Sequence, residues 1–412
     1  MYFLLTTTKN YEIIQEKIKL CNNGQGIMNN EQFIAGEWID CGSYKTFKPN
    51  KINHEFNLKY DNNILSSLQD AAYKLSTLNT LYKNDKLSSF NSTLCLVESL
   101  CSGAIEGTYV TPQNVLMENS SSKYSQDGKK IQALWFAIRH FEAKENISFA
   151  STEIFEEINS RVLPNDKKND KSFGKIRKCQ NFIGGFNPIT ARFIPPSPEL
   201  VKPLLQDLCD FWNNNSLSFP DLIKIAIFHY QFETIHPFSD GNGRTGRIII
   251  NIQLKEKKLL DNPILCLSEF WSRNKELYYE TLKSVQTSNK IEHWILFFLQ
   301  SIIETCNKRI DVITEINKLK EQSEKKIEKN KKNVSKCTEL LNYLFKSPHI
   351  TISKVKDELS ISYQVAKNLV QILLELKILK RSNENKRNQT FEFEEYINII
   401  FNVVAEQIIN NN

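Results

Sequence analysis

The chain has 412 residues, 41% of them hydrophobic and 24% charged, a composition that argues against a disordered, collagen-like or membrane chain and leaves room for two or three domains of ~100 to 200 residues. Lys and Arg number 53 against 47 Asp and Glu, a net +6 too mild to demand a nucleic acid or an anionic membrane as partner. The nine cysteines are scattered without a CxxC pair, and no apolar run suits a signal peptide or a membrane span, so a cytoplasmic protein with reduced thiols, no zinc site and no membrane contact is expected.

Residues 1–60 are rich in Asn and turn formers with weak periodicity, which predicts a partly irregular N-terminal extension. Helical spacing follows near 64–83, 88–105 and 127–146, giving an N-terminal helical domain over 61–147. It resumes near 150–163, 197–214, 219–235, 242–258, 268–287 and 290–330, giving a second unit over 148–330. The exception inside it is 174–196, where NFIGGFNPITARFIPP pairs glycines with β-branched and aromatic residues and predicts a short β-hairpin flap between helices. Residues 318–336 hold eight Lys against three Glu, read as a solvated helix face leading to a linker. Over 333–412, a helix at 337–345, two helices at 352–359 and 362–376, and two strands within 378–393 around the polar tip SNENKRNQ describe a winged helix-turn-helix. The fold class is mainly α: a helical bundle with a hairpin flap and a C-terminal winged helix.

The chemistry concentrates in HPFSDGNGRTGR, residues 236–247. Glycines, an amide and two arginines stand where a helix opens, and free N–H groups and the helix dipole there favour a phosphate. Arg244 and Arg247 can fork onto phosphate oxygens, and Asn242 can donate to one. Asp240 supplies a hard oxygen for Mg²⁺. His236, before a proline at the end of the preceding helix, suits a general base. Singly, each feature is as well explained as a helix end, a turn or an exposed pair; together they are the parts of a nucleotide-transfer site.

The stretch fits the Fic motif HxFx(D/E)GNGRxxR at every specified position, and the likeness extends through GKIRKCQN, the flap IGGFNPITARFIPPSP and YYETLKSVQTSNKIEHWILFFL. From about residue 149 to about residue 299 the chain resembles the Fic family of protein adenylyltransferases, which are helical bundles. The resemblance implies transfer of AMP from ATP to a Ser, Thr or Tyr hydroxyl of a protein, with His236 as base and Asp240 as Mg²⁺ ligand. It implies that Gly241, Asn242, Gly243, Arg244, Thr245, Gly246 and Arg247 hold the phosphates. Ile183, Gly184 and Gly185 line the nucleotide pocket, and Tyr278 and Gln286 match positions near the ribose and adenine. The flap would hold the protein substrate as an added strand. Phe182 stands where the family often has Trp, and Asn187 and Pro188 alter the turn.

Upstream, SGAIEG at 102–107 places Ser102 and Glu106 four apart on one helix face, with Gly107 as C-cap. By itself that is an ordinary helix terminus. Beside a Fic core it resembles the (S/T)xxxE(G/N) inhibitory motif of class II, which implies that Glu106 pairs with Arg247 and blocks the γ-phosphate. Self-modification and removal of AMP are left open, as is a homo-oligomer. The winged helix leaves two readings level: protein docking, or DNA binding with 362–376 as recognition helix and Lys380, Arg381, Lys386 and Arg387 on phosphates. The rival to an enzyme is a DNA-binding regulator whose Fic core senses nucleotide.

Overall fold

The computed structural model describes residues 32–84, 90–117, 125–144, 147–149, 151–164, 172–262, 265–382 and 389–410. Its N-terminal part is more regular than the sequence suggests. Strands β1 (Gly36–Asp40) and β2 (Lys45–Pro49) pair antiparallel with Gly36 opposite Pro49 and Asp40 opposite Lys45. The hairpin hides from pattern reading because β1 alternates poorly and the loop lacks a two-residue turn signature; Cys41 N donates to Tyr44 O (2.9 Å) across it. Phe47 N donates to Ile194 O (2.9 Å), which fastens the hairpin to the residue following the flap. Residues 1–31 lie outside the described residues.

Helices α1 (Asn62–Asn84), α2 (Asn91–Ile105), α3 (Pro112–Met117) and α4 (Gln126–Ala143) come next. Then follow α5 (Glu153–Val162), α6 (Pro198–Asn213), α7 (Asp221–Ile235) and α8 (Asn242–Glu256). The expected single helix at 268–287 is two, α9 (Leu267–Arg273) and α10 (Lys275–Ser288), broken at Asn274, whose side chain bonds back to Phe270 O (2.9 Å). Helix α11 (Ile291–Asn330) runs 40 residues, about 60 Å. Trp294, Phe298, Ile302, Cys306, Arg309, Ile313 and Ile316 mark its buried stripe, the spacing of one helix face, and α1 packs along it. Helix α7 is buried from Leu222 to Phe232 on every side, so it forms the centre of the bundle and hands the chain to the site at its end.

The C-terminal unit consists of α12 (Val334–Lys346), β3 (His349–Thr351), α13 (Ile352–Glu358), α14 (Tyr363–Glu375), β4 (Lys380–Arg381) and β5 (Thr390–Glu392). The strands form an antiparallel sheet in the order β3-β5-β4. The tip between β4 and β5, with Lys386 and Arg387, lies outside the described residues at 383–388. A final helix, α15 (Glu394–Asn410), was not legible in the sequence. Its buried Tyr396 donates to Phe345 O (3.0 Å) and packs on Phe90 with ring centroids 5.8 Å apart, which seats this unit against the start of α2. Among the described residues, no helix is long and apolar enough to cross a membrane.

Candidate active site at the junction of two helices

Helix α7 ends at His236, whose backbone is left-handed with φ of 49°, a conformation that costs a non-glycine residue roughly 1–2 kcal/mol. Arg177 holds it there. Its backbone N donates to Pro237 O (2.9 Å), its Nε to His236 O (2.9 Å), and its Nη2 to Pro196 O (2.5 Å). The neighbouring Asn181 Nδ2 donates to Phe238 O (2.9 Å). Burial pushes the His236 ring down to about 4, against the opposing pull of Glu106, so the imidazole is neutral at pH 7 and able to accept a proton.

Helix α8 opens at Gly241, also left-handed at φ 80°, where a side chain would press on Asn159 and Leu163. Asn159 Nδ2 donates to Asp240 O (2.9 Å) and to Thr245 Oγ1 (3.1 Å), buttressing the turn from α5. Asp240 Oδ1 accepts from Arg244 Nη2 (2.8 Å), and Arg244 Nη1 donates to Val162 O (3.2 Å). The side chain of Asn242 departs from its expected place. Its Oδ1 accepts from Phe238 N (2.8 Å) and its Nδ2 donates to Phe238 O (2.7 Å), so its amide is spent closing the loop and only its backbone N–H is left for an anion. Thr245 likewise is buried against Asn159.

Arg247, almost fully buried, points at α2. Its Nε donates to Ser102 Oγ (2.8 Å), and its Nη2 to Ser102 O (3.1 Å) and to Glu106 Oε1 (2.8 Å). Burial would raise the Glu106 carboxyl, but the Arg247 guanidinium outweighs it and holds the group below its ordinary range. Glu106 caps α2, Gly107 follows at φ 78°, and Thr108 N returns to Gly103 O (2.9 Å), the hydrogen-bonded helix end that a left-handed glycine permits. Glu106 lies over the first turn of α8: a Cβ on Gly243 would come within 2.4 Å of its Oε1.

These groups border one solvent-open cleft of about 680 Å³. Gly243, Arg247, Glu106 and His236 line it together with Ile183, Tyr278, Tyr279 and Gln286, and the Tyr279 hydroxyl donates to Ile105 O (3.5 Å), next to Glu106. Tyr278 is buried, stacked on Trp271 at 4.9 Å, and its hydroxyl lies 3.0 Å from His229 Nε2. The Gln286 side-chain oxygen is buried without a hydrogen-bond partner. Of the expected flap residues, Ile183 alone borders the cleft. Gly184 (φ 67°) and Gly185 (φ 79°) instead turn the flap, and a Cβ on Gly185 would meet Thr190 O at 2.3 Å. The flap is closed by a single antiparallel bridge, Ile183 opposite Phe193, rather than by a strand ladder. Sequence reasoning missed Arg177, Asn159, Glu233 and Tyr279, which act through backbone carbonyls or cleft walls; only the likeness around GKIRKCQN hinted at the first.

Residues 149–254 match the Fic/DOC family. The chain is 29% identical over 202 residues to the protein adenylyltransferase fic-1 of Caenorhabditis elegans, covering 49% of this chain and 35% of that protein. It is 29% identical over 206 residues to a probable protein adenylyltransferase of Aquifex aeolicus, covering 48% and 58%. It thus spans a third to three fifths of the length of these curated relatives. A Fic family protein from Desulfovibrio desulfuricans has a similar fold, with a TM-score of 0.54 at 16% identity over 82% of this chain and 98% of that one.

Among the described residues, no group of three or more His, Cys, Asp or Glu could hold a metal ion. The donor set beside the motif is the single, partly exposed carboxylate of Asp240. That suits Mg²⁺, which is commonly held by one or two carboxylates together with substrate phosphates.

Proposed function

We propose that this chain is a protein adenylyltransferase, transferring AMP from ATP to a Ser, Thr or Tyr hydroxyl of a protein, and that Glu106 keeps it autoinhibited. The observation that carries the reading is the 2.8 Å pair of Glu106 and Arg247 at the amino end of α8, beside a half-buried, neutral His236. The phosphates lie on the backbone N–H groups of Gly241–Gly243, with Arg247 on the outermost one once Glu106 withdraws. His236 takes the proton of the attacking hydroxyl, and Arg244 and Arg247 balance charge gathering on the leaving pyrophosphate. Mg²⁺, held by Asp240, would neutralise the same charge. The unpartnered Gln286 oxygen suits an exocyclic amine of the base. The flap's exposed backbone and its Phe186 and Ile189, 98% and 74% exposed, supply the surface for the protein substrate.

Glu106→Gly protein, given ATP, Mg²⁺ and cell lysate, should yield a +AMP adduct on itself or a recipient by mass spectrometry, and His236→Ala in that background should remove it. No adduct with the first variant would sink the reading.

For the C-terminal unit, which we read as a winged helix, DNA binding is favoured by the outward row of α14. Gln364, Lys367, Asn368 and Gln371 are exposed while Ala366, Leu369, Val370 and Leu373 are buried. The helix is apolar in composition, yet its outward row carries amide and ammonium groups, the side chains that read base edges, beside an exposed Tyr363 and Val365. A gel shift with duplex DNA that weakens steeply with salt is the expected result; no shift at low salt would return the unit to protein docking.

A further inference from the structure

Glu233 sits three residues before His236 on the last turn of α7 and borders the same cleft. Its Oε1 is buried and has no hydrogen-bond partner. It lies against Gly246, where a Cβ would come to 2.4 Å from that oxygen, so α8 carries no side chain at the point where this carboxyl needs room. A buried polar atom without a partner is costly, and among the described residues no hydrogen bond to this oxygen offsets that cost. Burial drives the Glu233 carboxyl up to about 8, against the pull of Arg247. At neutral pH it therefore carries a proton, can donate as well as accept, and does not repel a triphosphate.

Its place along the cleft narrows what it meets. The phosphate end is marked by Gly243, where a Cβ would lie 2.7 Å from Arg247 Nη1. Tyr279 stays beside that end, its hydroxyl donating to Ile105 O (3.5 Å), and Gln286, which borders the same cleft, lies seven residues further on α10, about 10 Å along the helix. Glu233 borders the same cleft and lies against Gly246, one turn along α8 from Gly243. We propose that the Glu233 carboxyl receives the ribose hydroxyls of the nucleotide and so sets the sugar preference of the site. This rests on the adenylyltransferase reading above, and it adds a group that binds the substrate without reaching the reacting phosphorus. A sugar hydroxyl, like a neutral carboxyl, both donates and accepts, and the pair satisfies the orphaned oxygen.

The test uses the full chain carrying Glu106→Gly and His236→Ala, so that nucleotide binds without turnover, and compares ATP with 2′,3′-dideoxy-ATP by calorimetry. With Glu233 present, ATP should bind about three- to tenfold more tightly, the worth of one or two neutral hydrogen bonds. Glu233→Met fills a similar volume without a polar end and should bring that ratio to one, whereas Glu233→Gln should keep most of it. A purely structural carboxyl would leave the ratio untouched in both. A ratio unchanged by Glu233→Met, or already one with Glu233 intact while ATP still binds, overturns the proposal alone. Failure of either nucleotide to bind with Glu233 intact overturns the adenylyltransferase reading and this inference together.

Discussion

Arg244 and Arg247 are one turn apart on α8 and each closes on a carboxylate at 2.8 Å, yet the two pairs belong to different kinds of structure. The partner of Arg244, Asp240, lies four residues back in the same turn. The partner of Arg247, Glu106, lies 141 residues away on α2. The first pair is formed within the turn that opens the helix, which Val162 O and Asn159 on α5 also hold. The second exists only while α2 is docked, and that docking depends on further contacts: Glu98 on α2 accepts from Ser268 on α9, and Phe90 packs on the C-terminal unit. One pair is local to the helix start, and the other joins two helices.

The sharpest way to break the comparison is to remove each carboxylate in turn, because the two should have opposite signs. Asp240→Ala in the Glu106→Gly background should lower AMP transfer on the order of 10²-fold, the scale of losing one charge-stabilising contact in a transition state. Glu106→Gly should raise transfer by roughly 5- to 150-fold, the span of a typical coupling energy. Labelled-ATP turnover reads both, and two effects of the same sign would erase the distinction. Ser102→Ala removes the acceptor of Arg247 Nε in a buried site, so it should cost about 1–3 kcal/mol in urea unfolding while raising turnover less than Glu106→Gly does.

The smallest expected effect is that of pH. Arg247 holds the folded Glu106 carboxyl below its ordinary 4.5, so the pair's contribution is complete above that value and is lost only as pH falls through the lower folded one. The ratio of Glu106→Gly to unsubstituted turnover should then stay flat from about pH 6 to about pH 7, below the range in which Glu233 ionises. A ratio that changes several-fold across that window would mean that some other group holds Arg247.

The same division separates what could be read in advance from what could not. The helical pattern from 64 to 330, the helix-turn-helix near 352–376 and the loop at 236–247 are written in spacing and in consecutive residues. The hairpin at 36–49 and the helix at 394–410 were missed because each is fixed by what it leans on: Ile194 O for the former, Phe90 and Phe345 for the latter. Asn242 was assigned to phosphate because its side chain could reach one; its actual partner is the Phe238 backbone, a choice made by loop geometry. Burial of the apolar residues of α14 leaves Gln364, Lys367, Asn368 and Gln371 outward, which its composition alone does not show.

The sequence by itself determined the helix start at Gly241, because its glycines and arginines fall within twelve consecutive residues and set backbone geometry over a single turn. Only the tertiary structure decided that Arg177 locks His236 in a left-handed turn and that Glu233 is left unpaired at the cleft wall. Those outcomes depend on burial and on contacts between distant segments, and neither leaves a period in the chain.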